Sequence, residues 1–86
     1  MKMLFKEIES IAKEKGLEAK LWEKHGIRKI YLNSYTGSGY RRDEGTIGVA
    51  EDGTMQVDKR CNYTSSAKKV WNAIPADAKL EVEEDV

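Results

Sequence analysis

The sequence predicts an α+β fold, ordered helix, four antiparallel strands in two hairpins, helix, with both helices on one face of the sheet. Three observations lead there. Apolar residues recur with a helical period near each end of the chain and with a period of two between them. Each period-two stretch is interrupted by turn residues, His25-Gly26 in one and Glu51-Asp52-Gly53 in the other. The helical segments lie outside the paired strands rather than between them, which favours hairpins over crossover connections.

The first helix is expected at about residues 2–15. Leu4, Ile8, Ile11 and Ala12 share one face, Lys13 and Lys15 sit in the last turn, and Gly16 follows as a stop. Leu17, Ala19 and Leu21 then alternate with polar neighbours, as do Ile30 and Leu32 after the turn. A two-residue turn at His25-Gly26 sets Leu21 opposite Ile30 and Ala19 opposite Leu32, all on one face. A three-residue turn would set Leu21 against Lys29 and break the pattern. Ser34 to Gly45 is rich in Gly, Tyr and charge and reads as a long connection. In the second hairpin a three-residue loop pairs Val49 with Met55 and Ile47 with Val57, with Gly53 in the left-handed position. Thr64, Ser65 or Ser66 caps a second helix whose apolar stripe is Ala67, Val70, Trp71 and Ile74, and Pro75 ends it. One domain is expected over 1–76. Residues 77–86, with weak alternation at Ala78, Leu80 and Val82, form an acidic C-terminal tail or a short edge strand.

Composition narrows the function classes. Of 86 residues, 40% are apolar and 35% charged, a folded domain with a densely charged surface. The 15 basic and 15 acidic residues cancel overall. Lys79 is the sole basic residue from Pro75 onward, against Asp77, Glu81, Glu83, Glu84 and Asp85, so the body is mildly basic. That is well short of the excess typical of a nucleic-acid binder. One cysteine excludes an internal disulfide and a multi-cysteine metal site. No apolar run reaches the roughly 20 residues of a membrane span, and Lys6, Glu7 and Glu9 interrupt any signal-peptide core. A cytoplasmic location is expected.

No catalytic constellation is legible, and neither cofactor nor metal is expected. His25 occupies a turn without a second ligand or base at a working spacing. Cys61 lacks a neighbouring histidine and reads as a small buried side chain. Gly37-Ser38-Gly39 opens no helix and fits no phosphate-loop pattern. Binding residues are easier to find. The first hairpin's register turns Lys20, Trp22, Lys29, Tyr31 and Asn33 away from the core, with Trp22 opposite Lys29 and Lys20 opposite Tyr31, as cation–π pairs. The second hairpin adds only small or polar groups there, leaving a flat, approachable surface. Tyr35, Tyr40, Arg41 and Arg42 of the long connection belong to the types most frequent in interface hot spots. Partner binding is therefore assigned to Trp22, Tyr31, Tyr35, Tyr40, Arg41 and Arg42. Lys20, Lys29, Lys68 and Lys69 are candidate phosphate contacts.

Lys68 and Lys69 open the second helix, where the dipole favours anions. In element order and in this lysine pair the chain resembles the double-stranded-RNA-binding family, which implies phosphate contacts there. The segment LWEKHGIRKIYLNSY, residues 21–35, resembles a hairpin of short bacterial and phage proteins with no assigned activity. Size and element order are similar to those of phage-encoded inhibitors of CRISPR effectors. Together these imply a non-enzymatic binding protein that occupies a surface of a protein or nucleoprotein, as a phage or mobile-element regulator does. The alternatives are a small RNA- or DNA-binding module and a homodimeric structural subunit pairing through an edge strand.

Overall fold

In the computed structural model, which describes residues 1–81, the elements are β1 (Lys2–Leu4), α1 (Phe5–Glu14), β2 (Glu18–Lys24), β3 (Ile27–Tyr35), β4 (Arg41–Val49), β5 (Met55–Val57), α2 (Ser65–Ala73) and β6 (Lys79–Glu81). Val82, Glu83, Glu84 and Asp85 lie outside the described residues. The α+β class and the antiparallel sheet, ordered β2-β3-β4-β5, are as the sequence predicts.

His25 and Gly26 take φ of 54° and 76°, both left-handed. That is the two-residue type I′ turn, whose twist matches the strands it joins. Its register is the predicted one, Leu21 with Ile30 and Ala19 with Leu32. The second hairpin likewise pairs Val49 with Met55 and Ile47 with Val57 around Gly53 at φ 91°. Ala19, Ile30, Leu32, Ile47 and Met55 are thereby buried on one face. Ile8 and Ala12 of α1 and Ala67 and Val70 of α2 complete the core on that side.

Both helix boundaries have local causes. At the end of α1 the Gly16 N–H donates to Lys13 O (3.1 Å) and the Leu17 N–H to Ala12 O (2.8 Å). This is a Schellman motif, with Gly16 at φ 80° and the buried Leu17 against Ala12. At the start of α2 Thr64 is the cap, its Oγ1 accepting from the Ala67 N–H at 3.3 Å.

Three expectations need correction. The first helix begins at Phe5, because residues 2–4 form β1 and pair in parallel with β6, Met3 beside Leu80. Helical periodicity at Leu4 could not reveal a partner so far along the chain. Next, the long connection of residues 34–45 shrinks to residues 36–40, since β3 runs to Tyr35 and β4 starts at Arg41. The loop is closed by Thr36 and Tyr40, the Thr36 N–H donating to Tyr40 O at 2.9 Å. The outer ends of both strands extend past the core, so they show no apolar alternation. Finally, Cys61 is exposed rather than buried, because it falls in the turn segment after β5.

The C-terminal segment is part of the folded unit as far as it is described. Ala78 and Leu80 are core residues, 6% and 5% exposed, so the unit extends beyond residue 76. β6 also touches the second hairpin: the Leu80 N–H donates to Gly53 O (2.8 Å), and Lys79 Nζ lies 3.5 Å from Asp52 Oδ2.

Candidate functional site

The face of the sheet opposite the helices carries alternate residues of each strand. Lys20 and Trp22 come from β2, Tyr31 and Asn33 from β3, and Arg41 and Asp43 from β4. Together with Leu21 they line a cleft of about 510 Å³. A β-bulge decides what β4 contributes. Pairing is regular up to Leu32 with Gly45, but Asn33 then meets Asp43, so Glu44 is the extra residue. Without that shift Glu44 and Arg42 would share the face of Tyr31 and Thr46. With it, Asp43 and Arg41 do, and Arg42 moves to the other side.

The bulge is held in place by α2. Glu44 O accepts the Thr64 N–H (3.0 Å) and the Thr64 Oγ1–H (3.2 Å), so the cap residue of α2 also fixes the bulged carbonyl. Next to it, Gly45 lets the helix close on the strand. A Cβ at Gly45 would stand 2.8 Å from the Ala67 Cβ, nearer than carbon atoms pack.

Trp22 and Tyr31 pack edge to face, centroids 6.5 Å apart and planes at 69°. The register sets Trp22 opposite Lys29 and Lys20 opposite Tyr31, as expected, but among the described residues each ring has its close contact with the other ring rather than with the lysine across from it. Lys20 lies 3.6 Å from Glu18 Oε1 instead. Trp22 remains 39% exposed. At the cleft floor Asn33 is only 4% exposed, yet its side-chain amide has no hydrogen-bond partner among the described residues. Next along the same face, Thr46 is 2% exposed and its Oγ1 also lacks a partner among them. An amide that opens to a cleft with its donors and acceptor unused is chemically available to a ligand. Arg41 and Asp43, which flank it, form no ion pair among the described residues.

The other assigned residues are dispersed. Tyr35 is half-exposed and donates its hydroxyl to Glu18 Oε1 at 3.0 Å. Tyr40, the most exposed of the large hydrophobic side chains among the described residues, closes the base of the 36–40 loop beside Arg41. Lys29 faces Asp58 across the sheet end, lowering that carboxyl's pKa slightly. Lys68 and Lys69 lie in the helical layer, Lys68 with its Nζ 5.6 Å from the Tyr63 ring centroid. The four candidate phosphate lysines therefore form no single stripe. Asn33 and Asp43 are the cleft residues that sequence reasoning did not assign. Asn33 was legible as outward-facing from the hairpin register, whereas Asp43 depends on the bulge.

A second polar feature closes the same face at its far end. Asp58 accepts the Arg60 N–H (3.0 Å), Nε–H (3.0 Å) and Nη2–H (3.1 Å). These bonds, the side-chain ones foremost, pull its pKa from 3.8 to about 2. A folded-state value below the unfolded one contributes stability that is complete above the unfolded pKa and lost as pH falls through about 2. An NMR titration of the Asp58 carboxyl is expected to show a midpoint near 2 in the native protein, moving up toward 3.8 in Arg60→Ala. An unchanged midpoint in the variant would assign the shift elsewhere.

Among the described residues no three His, Cys, Asp or Glu side chains gather as metal ligands. No described helix is long and apolar enough to cross a membrane. No family model, no curated protein and no solved structure matches the chain.

Proposed function

We propose that this chain is a non-enzymatic binding protein of the cytoplasm that uses the outer face of its sheet to occupy a surface of a larger protein or nucleoprotein. Regulators and inhibitors of phages and mobile elements, including those directed at CRISPR effectors, act in this way. The observation that carries the reading is the Asn33 amide. It belongs to a residue only 4% exposed, makes no side-chain hydrogen bond among the described residues, and opens to a cleft walled by Trp22, Tyr31 and Arg41. Aromatic rings and arginine around a sheltered polar group are the makeup of an interface hot spot. A nucleic-acid module has less support, because Lys20 is engaged by Glu18 and Lys68 by Tyr63, and Lys68 and Lys69 sit in the opposite layer.

The test is an affinity pull-down from the native host, with and without nuclease, comparing three forms of the protein. The expected partner survives nuclease treatment. Its affinity falls about thirtyfold or more, roughly 2 kcal/mol, for the Trp22→Ala, Arg41→Ala double variant. The Lys68→Ala, Lys69→Ala variant is expected to bind within about threefold of the native protein. A partner that is lost on nuclease treatment and needs Lys68 and Lys69 would replace this reading with the nucleic-acid one.

A further inference from the structure

β2 is an outer strand of the four-stranded sheet, hydrogen-bonded to β3 along one side only among the described residues. It spans 7 residues, whereas the opposite edge, β5, has 3. The type I′ turn determines which of its backbone groups are free. Lys24 and Ile27 flank that turn and exchange both of their backbone hydrogen bonds, so Trp22, Lys20 and Glu18 do the same with their partners on β3. The N–H and C=O of Ala19, Leu21 and Glu23 therefore point away from the sheet.

An antiparallel partner strand must meet those groups with outward-pointing groups of its own. For a second copy of β2 this permits only registers that pair odd residues with odd. A two-fold axis at Lys20 sets Lys20 against Lys20, and an axis at Trp22 sets Lys20 against Lys24; both oppose like charges. An axis at Leu21 behaves differently. It places Glu18 opposite Lys24, Lys20 opposite Trp22, and Leu21 on Leu21. The first two pairs fall at non-hydrogen-bonded positions, where side chains approach most closely. Charges along an exposed edge ordinarily discourage pairing, but here their order is complementary to itself.

Lys20 would have to exchange its exposed contact with Glu18 for the Trp22 ring, while the other groups can pair as they stand. Glu18 receives Tyr35 and Lys20 through Oε1, leaving Oε2 unoccupied, and Lys24 has no ion pair among the described residues. Trp22 is 39% exposed, leaving ring surface within reach of a lysine. We infer that two copies of this chain join through β2, antiparallel about a two-fold axis at Leu21, into one continuous eight-stranded sheet held by the Glu18–Lys24 and Lys20–Trp22 pairs. The inference stands independently of the proposed function, and it sets the two outer-face clefts side by side across the axis.

Sedimentation equilibrium of the full chain, from micromolar to submillimolar concentration, is expected to show the mass rising from one chain to two. Over that range the amides of Ala19, Leu21 and Glu23 are expected to gain protection from hydrogen exchange. A single-chain mass throughout overturns the inference, and so does doubling with protection at β5 instead. The Lys24→Glu variant is expected to weaken the dimer about tenfold or more, because two equivalent pairs across the axis become repulsive. Adding Glu18→Lys inverts both partners and is expected to restore the dimer to within about threefold. A double variant as weak as the single one would show that the strands meet in another register.

Discussion

Ending the chain after Ala76 is expected to unfold the domain, although the sequence leaves this segment as an acidic tail or a short edge strand. The segment carries Ala78 and Leu80 into the core and supplies β6, the only described partner of β1. Loss of a buried leucine costs about 2–5 kcal/mol. Exposure of Met3, now 5% exposed beside Leu80, adds about 1.5–3 kcal/mol. The sum of roughly 4–8 kcal/mol is comparable with the whole stability of a small domain, about 5–15 kcal/mol. Urea unfolding followed by circular dichroism would measure it, with full-length Leu80→Ala expected to fall between the native and truncated proteins. A truncated protein that unfolds at the native midpoint would show that β6 contributes nothing to the core.

Gly53→Ala is expected to cost about 2–5 kcal/mol, as much as truncating a core leucine. Two costs coincide at this position. The residue has φ 91°, and a left-handed conformation costs a residue with a Cβ about 1–2 kcal/mol. The new Cβ would also stand 2.5 Å from Leu80 O and 3.2 Å from Leu80 N, both backbone atoms that cannot rotate aside. Overpacking of this sort adds about 1–3 kcal/mol. Gly16→Ala separates the two costs, because Gly16 has φ 80° but nothing within 4 Å of its Cβ position. It is expected to lose only the conformational part, about 1–2 kcal/mol. Equal losses at the two glycines, measured by the same urea titration, would mean that the second hairpin does not bear on β6.

The outer-face cleft depends on the same kind of remote support. Its β4 residues are set by the bulge at Glu44, and the bulge is set by Thr64 at the start of α2. The placing of Arg41 and Asp43 on that face thus depends on α2 being docked, which couples the cleft to the core.

Everything the sequence determined by itself was local. Both hairpin registers follow from period-two alternation and a turn of known length, because slipping either by one residue turns its apolar side chains toward water. The Gly16 stop, a cap at Thr64, Ser65 or Ser66, and the outward direction of Trp22 and Tyr31 belong to the same class. Each depends on residues within a few positions of one another. What the tertiary structure alone decided is long-range. The β1–β6 pair joins residues near opposite ends of the chain through three-residue strands, too short for periodicity to register. The bulge that exchanges Glu44 and Arg42 for Asp43 and Arg41 on the outer face arises from a helix cap 20 residues downstream. Half of the cleft was therefore readable from the first hairpin. The remainder waited on α2 closing against Gly45, where the missing side chain gives no hint of what fills its place.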